Sequence, residues 1–170
     1  NWYGPAAVPA MAFWEDLENT FETTPWLGHE DRILPYVYSQ ALLDRLEKDI
    51  AQAEAQAQGN DLASKHVLAD RATLEHLKAY MAMNRAEFDA DFVEAAAQAQ
   101  RMLDVRKPAS DLSHSYFDPR QDGDSWGYYY WGSVSRRNYY QKVADATTGN
   151  TGDMIAVLPD MATFPYVLRV

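Results

Sequence analysis

The residues best suited to chemistry fall in two places, an aromatic run near the carboxyl end and scattered acid and histidine pairs elsewhere. The run is Trp126, Tyr128, Tyr129, Tyr130 and Trp131, continued by Arg136, Arg137, Tyr139 and Tyr140. Sugar rings lay their apolar C–H faces on Trp and Tyr, and a guanidinium can fork onto a uronate carboxylate. Trp126, Tyr128, Tyr130, Trp131, Arg136 and Arg137 are therefore the candidate contacts, either to a saccharide or to a neighbouring domain. The second reading carries more weight, because one sugar subsite does not need so many large rings, and the two arginines have this acidic chain's own carboxylates to meet.

The other constellations are weaker. Asp118, Asp122 and Asp124 flank Gly123 as in a calcium loop, but Arg120 and Tyr129 stand where that loop places an oxygen ligand and its glutamate. His66 and Asp70 share a helical face, with Glu75 and His76 further along, yet zinc's pair of histidines at i, i+4 is missing. Asp111, Ser113, His114 and Ser115 have the residue types of a triad, but they are too close in sequence to face one another. The pairs Glu15/Glu18 and Asp89/Asp91 read as solvated helix and cap charges rather than a glycosidase pair. The sequence thus assigns no catalytic residue, no metal ligand and no cofactor.

A charge of −10 repels phosphate backbones and anionic lipid, which argues against nucleic-acid and membrane partners. The chain has no cysteine, so disulfides and thiolate chemistry are excluded. At 170 residues it is sized for one domain, and no repeat of solenoid period is visible.

Periodicity supplies the elements that must position these residues. Pro5 opens a helix over residues 5–22, with Met11, Trp14, Leu17 and Phe21 expected on its buried face. Residues 23–38, with Pro25, Gly28 and Pro35 among aromatics, read as an ordered docked loop. Ser39 caps a second helix whose stripe is Leu42, Leu43, Leu46, Ile50, Ala53 and Ala57, ending at Gly59. Asn60 or Asp61 starts a third, with Val67, Leu74, Leu77, Met81 and Phe88 as its seam, so that the two helices form an antiparallel hairpin. Asp89 or Asp91 caps a fourth helix carrying Phe92, Ala95, Ala99, Met102 and Leu103, which Pro108 closes. Residues 107–125 read as loop, followed by helix in the second half of 126–146. Residues 153–158 and 166–170 read as extended pieces.

The expected fold is mostly α: an antiparallel bundle of about four to five helices over residues 1–148, with a short extended β segment at the C-terminus. Residues 149–170 read as a linker and strand leading to a following β domain.

At Trp2-Tyr3-Gly4-Pro5-Ala6-Ala7 the chain resembles a bacterial family of unknown function. Its members are large, barrel-containing, glycoside-hydrolase-like proteins with the architecture of α-glucuronidases and β-hexosaminidases. The resemblance extends in kind through the helical hairpin, Trp131-Gly132, and Ile155-Ala156-Val157-Leu158-Pro159. It implies a helical accessory segment that follows a catalytic barrel and precedes a jelly-roll domain. The catalytic carboxylates would lie upstream, the neighbouring barrel and β domain of the same polypeptide would be the partners, and the location would be periplasmic or extracellular. The alternative is a free-standing α-helical protein-interaction module.

Overall fold

The computed structural model describes residues 2–28, 30–113, 133–149 and 168–169. The chain is mostly helical, as expected. A 3-10 turn at Gly4–Ala6 leads into α1 (Ala7–Thr23), a two-residue strand β1 (Trp26–Leu27) and a short α2 (Glu30–Val37). There follow α3 (Gln40–Ala57), α4 (Asp61–Phe88), α5 (Phe92–Asp104), α6 (Lys107–Leu112), α7 (Ser133–Gly149) and a two-residue strand β2 (Leu168–Arg169). Five long helices build the bundle and two short ones brace it. Among the described residues no helix is long and apolar enough to cross a membrane.

Capping explains where the long helices begin. Ser39 Oγ accepts from the Leu42 amide at 3.2 Å, Asn60 Oδ1 from the Ala63 amide at 3.0 Å, and Asp91 Oδ1 from the Glu94 amide at 3.0 Å. Each satisfies a donor that the first helical turn leaves open. Of the two alternatives at each later start, Asn60 and Asp91 are therefore the caps. Asp89 instead pairs with Arg85 at 2.8 Å.

The hairpin of α3 and α4 is antiparallel, as its ion pairs register: Arg71 holds Glu54 at 2.8 Å and Glu47 at 2.7 Å, while Lys78, two turns on, also reaches Glu47. Glu75 joins this group through Arg101 of α5 at 2.9 Å, tying three helices along one edge. Beneath it every residue of the predicted α3 stripe is buried. Leu42, Leu43, Leu46 and Ile50 pack with Phe13, Tyr38 and Leu74 into one cluster. A second cluster joins Ala79, Tyr80, Met83 and Ala86 of α4 to Ala95, Ala96, Ala99 and Met102 of α5, closed by Tyr140 of α7.

Several expectations are corrected. On α1 the buried residues are Pro9, Ala10 and Phe13, whereas Met11, Trp14 and Phe21 are exposed. The spacing of the largest side chains misplaced the helix face because, apart from Phe13 and the half-buried Leu17, the joint is made of small ones. Ala6 and Ala10 pack on Ala53, Ala57, Ala63 and Val67, which lets the backbones approach closely. The segment 23–38 is not a loop throughout: it holds β1 and α2, and Pro35 sits inside α2, whose single turn or two loses little from one missing amide. Finally α5 stops at Asp104 before Pro108, which instead occupies the first turn of α6, a position where proline's missing N–H costs nothing. The α4 seam holds from Val67 to Met81, but Phe88, its last residue, is 86% exposed. The chain has already begun to turn there, through Ala90 at φ 60°.

The C-terminal extended segment is present as β2, paired antiparallel with β1 through Trp26 and Arg169, and Leu27 and Leu168. The expected strand at 153–158 lies outside the described residues.

Gly4 has φ +48°, and a Cβ built there would stand 2.9 Å from Asn60 Nδ2. Gly4→Ala therefore has to adopt a left-handed backbone and push aside the side chain that caps α4. We expect a loss of about 1–3 kcal/mol of stability in urea unfolding. An unchanged midpoint would show that Asn60 gives way freely.

Candidate functional site

The amino-terminal turn, α1 and α4 converge on one buried carboxylate. Asp70 lies on α4 in the core phase, between Val67 and Leu74, and is 6% exposed. The Tyr3 hydroxyl donates to it, and the single Trp14 indole N–H is shared between Asp70 and Tyr3 Oη, to which it donates at 3.2 Å. The three groups thus form one hydrogen-bonded knot. Asp70 Oδ2 has no hydrogen-bond partner among the described residues. Burial pushes the carboxyl up to about 6, against the opposing pull of the Tyr3 and Trp14 hydrogen bonds.

One turn earlier on α4, His66 faces the same segment. Its ring centroid is 5.0 Å from that of Trp2 and 6.0 Å from that of Tyr3, the latter edge-on. Trp2 itself is 72% exposed and Val8 79%, while Met11 and Trp14 are roughly half exposed. The Trp-Tyr-Gly-Pro stretch thus has two faces. Its inner face, Tyr3 and Gly4, locks to α4 and its cap. Beyond it, Trp2 and the first turns of α1 present apolar surface to solvent.

His66 and Asp70 do share a face, as their spacing implies, but they are spent on Trp2 and on the Tyr3 and Trp14 donors. Glu75 and His76 do not join them. Glu75 belongs to the ion-pair group with Arg71, Lys78 and Arg101. His76 lies half-buried against Arg106, and desolvation, reinforced by that guanidinium, pushes it down to about 3, so it stays neutral. Among the described residues no group of three or more His, Cys, Asp or Glu side chains could hold a metal ion.

The arginines of the aromatic segment face inward. Arg136 of α7 is 3% exposed, its guanidinium 5.3 Å from the centroid of the Tyr80 ring. Arg137 donates to Gln100 Oε1 of α5 at 2.9 Å and to Asn138 Oδ1. Tyr140 donates to Glu87 Oε2 at 2.7 Å, and its ring stacks with Phe92 at 6.4 Å. This end of the run therefore anchors α7 within the bundle. Trp126, Tyr128, Tyr130 and Trp131 lie outside the described residues, as do the acidic turn at 118–124 and His114 and Ser115. Asp111 pairs with Lys107 at 2.9 Å. Glu15 and Glu18 are exposed.

No family model, curated protein or solved structure matches this chain. The assignment of a role accordingly rests on the sequence resemblance and on the geometry of residues 2–14.

Sequence reasoning did not find the Tyr3, Trp14 and Asp70 knot, although a signal was available. The buried positions of α4 run Ala63, Val67, Asp70, Leu74, at steps of four, three and four. A carboxylate in that phase needs donors from elsewhere in the fold. Tyr3 and Trp14 supply them.

Proposed function

We propose that the chain is a non-catalytic helical accessory domain of a larger carbohydrate-active, glycoside-hydrolase-like enzyme, seated on that enzyme's barrel. The observation that carries this reading is that Trp2, Val8, Met11 and Trp14 are all exposed, with Val8 and Met11 one turn apart on α1. Single exposed apolar side chains are ordinary, but four within the first fourteen residues suggest a surface that another body covers. They adjoin the hexapeptide that, by resemblance, directly follows a barrel. The inner face of that hexapeptide packs on α4 through Tyr3 and Gly4, which sets Trp2 beside the start of α1.

Saccharide contact, if the domain makes it, falls to Trp126, Tyr128, Tyr130 and Trp131, since Arg136 and Arg137 are committed to the bundle. The alternative of a free-standing protein-interaction module draws on a second exposed pair, Phe88 and Val93, at the α4–α5 corner.

The test compares hydrolysis of aryl glycosides, including glucuronides, by the parent polypeptide, its barrel alone and residues 1–170 alone. The parent is expected to turn over substrate, residues 1–170 are not, and the barrel alone should keep its bond specificity while losing thermal stability. Turnover by residues 1–170, or a parent gene with no barrel, would remove the proposal.

A further inference from the structure

We infer that the Asp70 carboxyl is a proton-operated latch, holding residues 2–6 against α4 when neutral and loosening them when ionised. Two observations of geometry lead to it. Asp70 is almost wholly enclosed, and the lid over it consists of Tyr3 and Trp14 rather than of the bundle core. One of its oxygens, Oδ2, has no donor among the described residues. An ionised carboxylate in that position is desolvated and meets no cationic partner among the described residues, whereas a neutral carboxyl there is far cheaper to enclose.

The charged side chains of the surrounding elements are engaged elsewhere. Arg71, the next residue of α4, is held by Glu47 and Glu54 of α3. Arg45 of α3 is held by Asp16 of α1, and Lys48 and Asp49 interact with each other and with that pair. Lys107 of α6 is held by Asp111, and Arg106 is against His76. On α4 itself His66, one turn before Asp70, faces Trp2 and Tyr3. The proton affinity of Asp70 is set by burial and by its two hydrogen bonds.

Opening does not require the bundle to unfold. Residues 2–6 form a single 3-10 turn, held by the Ala6 amide to Tyr3 O at 2.8 Å and the Ala7 amide to Gly4 O. Lifting that turn and the Tyr3 ring lets water reach Asp70 while the α3–α4 hairpin stays intact. The opening uncovers Ala6, which is buried against Ala53, Ala57 and Ala63, so it is a local event that costs some burial but stops short of unfolding the hairpin. The latch also governs Trp2, which rides on the same turn beside the exposed face of α1. This inference stands on the knot itself and does not depend on what that face meets.

The experiment is amide hydrogen exchange at Ala6 and Ala7, followed by NMR from pH 4.5 to 7 and corrected for intrinsic exchange, in the wild-type 170-residue chain and in Asp70→Asn. Ionisation favoured in the open form makes opening more frequent as pH rises. Protection in the wild type is expected to fall more than tenfold across this range, and to be nearly constant in Asp70→Asn. A flat wild-type profile, or the same fall in Asp70→Asn, overturns the latch. Because the variant could perturb folding, the Asp70 carboxyl carbon is titrated in the wild type as well. A midpoint near 6 is the expected result, and one near 4 overturns the inference.

Discussion

Phe13→Ala is expected to cost about 3–5 kcal/mol, the largest loss of any single truncation in the amino-terminal third of the chain. Phe13 is fully buried, lies in the cluster with Tyr38, Leu42, Leu46, Ile50 and Leu74, and meets Trp14 edge-on at 5.2 Å. Removing it leaves a cavity under α1 where the helix joins α3, and it takes away the ring against which Trp14 is set. Met11→Ala, two residues earlier on the exposed side, is expected to change stability by less than about 0.5 kcal/mol. Urea unfolding of the two variants reads the orientation of α1 directly. A larger loss at Met11 than at Phe13 would restore the helix face expected from sequence and refute the observed one.

The second large effect is at Asp70 and depends on pH. Its carboxyl is raised from the ordinary 3.8 to about 6 in the folded chain. The folded form therefore holds a proton that the unfolded chain has given up between those values. Stability linked to this group is fully present below about pH 4 and is lost as the pH rises through about 6. Asp70→Asn removes the ionisation while keeping a carbonyl oxygen to accept from Tyr3 and Trp14. At pH 7 to 8 the variant is expected to be more stable than the wild type by up to about 3 kcal/mol, with the difference shrinking toward zero by pH 4. Thermal unfolding of both proteins across this range gives the comparison, in which the other carboxylates cancel. A variant less stable than the wild type at pH 8 would mean that the charge is welcome where it lies.

The helical character, the order of the long helices and their caps were legible because each rests on local chemistry. Ser39, Asn60 and Asp91 announce a helix start with a single side-chain oxygen, and the α3 stripe repeats often enough to fix its phase. The phase of α1 was not legible. Its joint with α3 is built from alanines, which carry little weight in a hydrophobic pattern, while its largest side chains, Met11 and Trp14, look outward. The helix α2 was hidden by Pro35, a residue that ordinarily signals a break.

The site divides in the same way. The Trp-Tyr-Gly-Pro motif was visible as a string of residues, and Gly4 explains one part of it, since its positive φ and its contact with Asn60 leave no room for a side chain. What the motif is for became legible only when the fold brought Tyr3 and Trp14 over Asp70, residues separated by more than fifty positions. Arg136 and Arg137 illustrate the converse. Their position beside a run of aromatics left a saccharide, a neighbouring domain and the chain's own carboxylates as possible partners, and the register of α7 sets Arg136 over Tyr80 and Arg137 against Gln100.

The exposed residues Trp2, Val8 and Met11 are proposed to seat this domain on a catalytic barrel. Calorimetric titration of the chain into the separately produced barrel of the proposed parent polypeptide measures that seating. The wild-type chain is expected to bind with a negative heat-capacity change, the mark of apolar burial, and Val8→Glu/Met11→Glu to bind at least tenfold more weakly. Equal affinity of the two proteins for the barrel, or no binding by either, would contradict it.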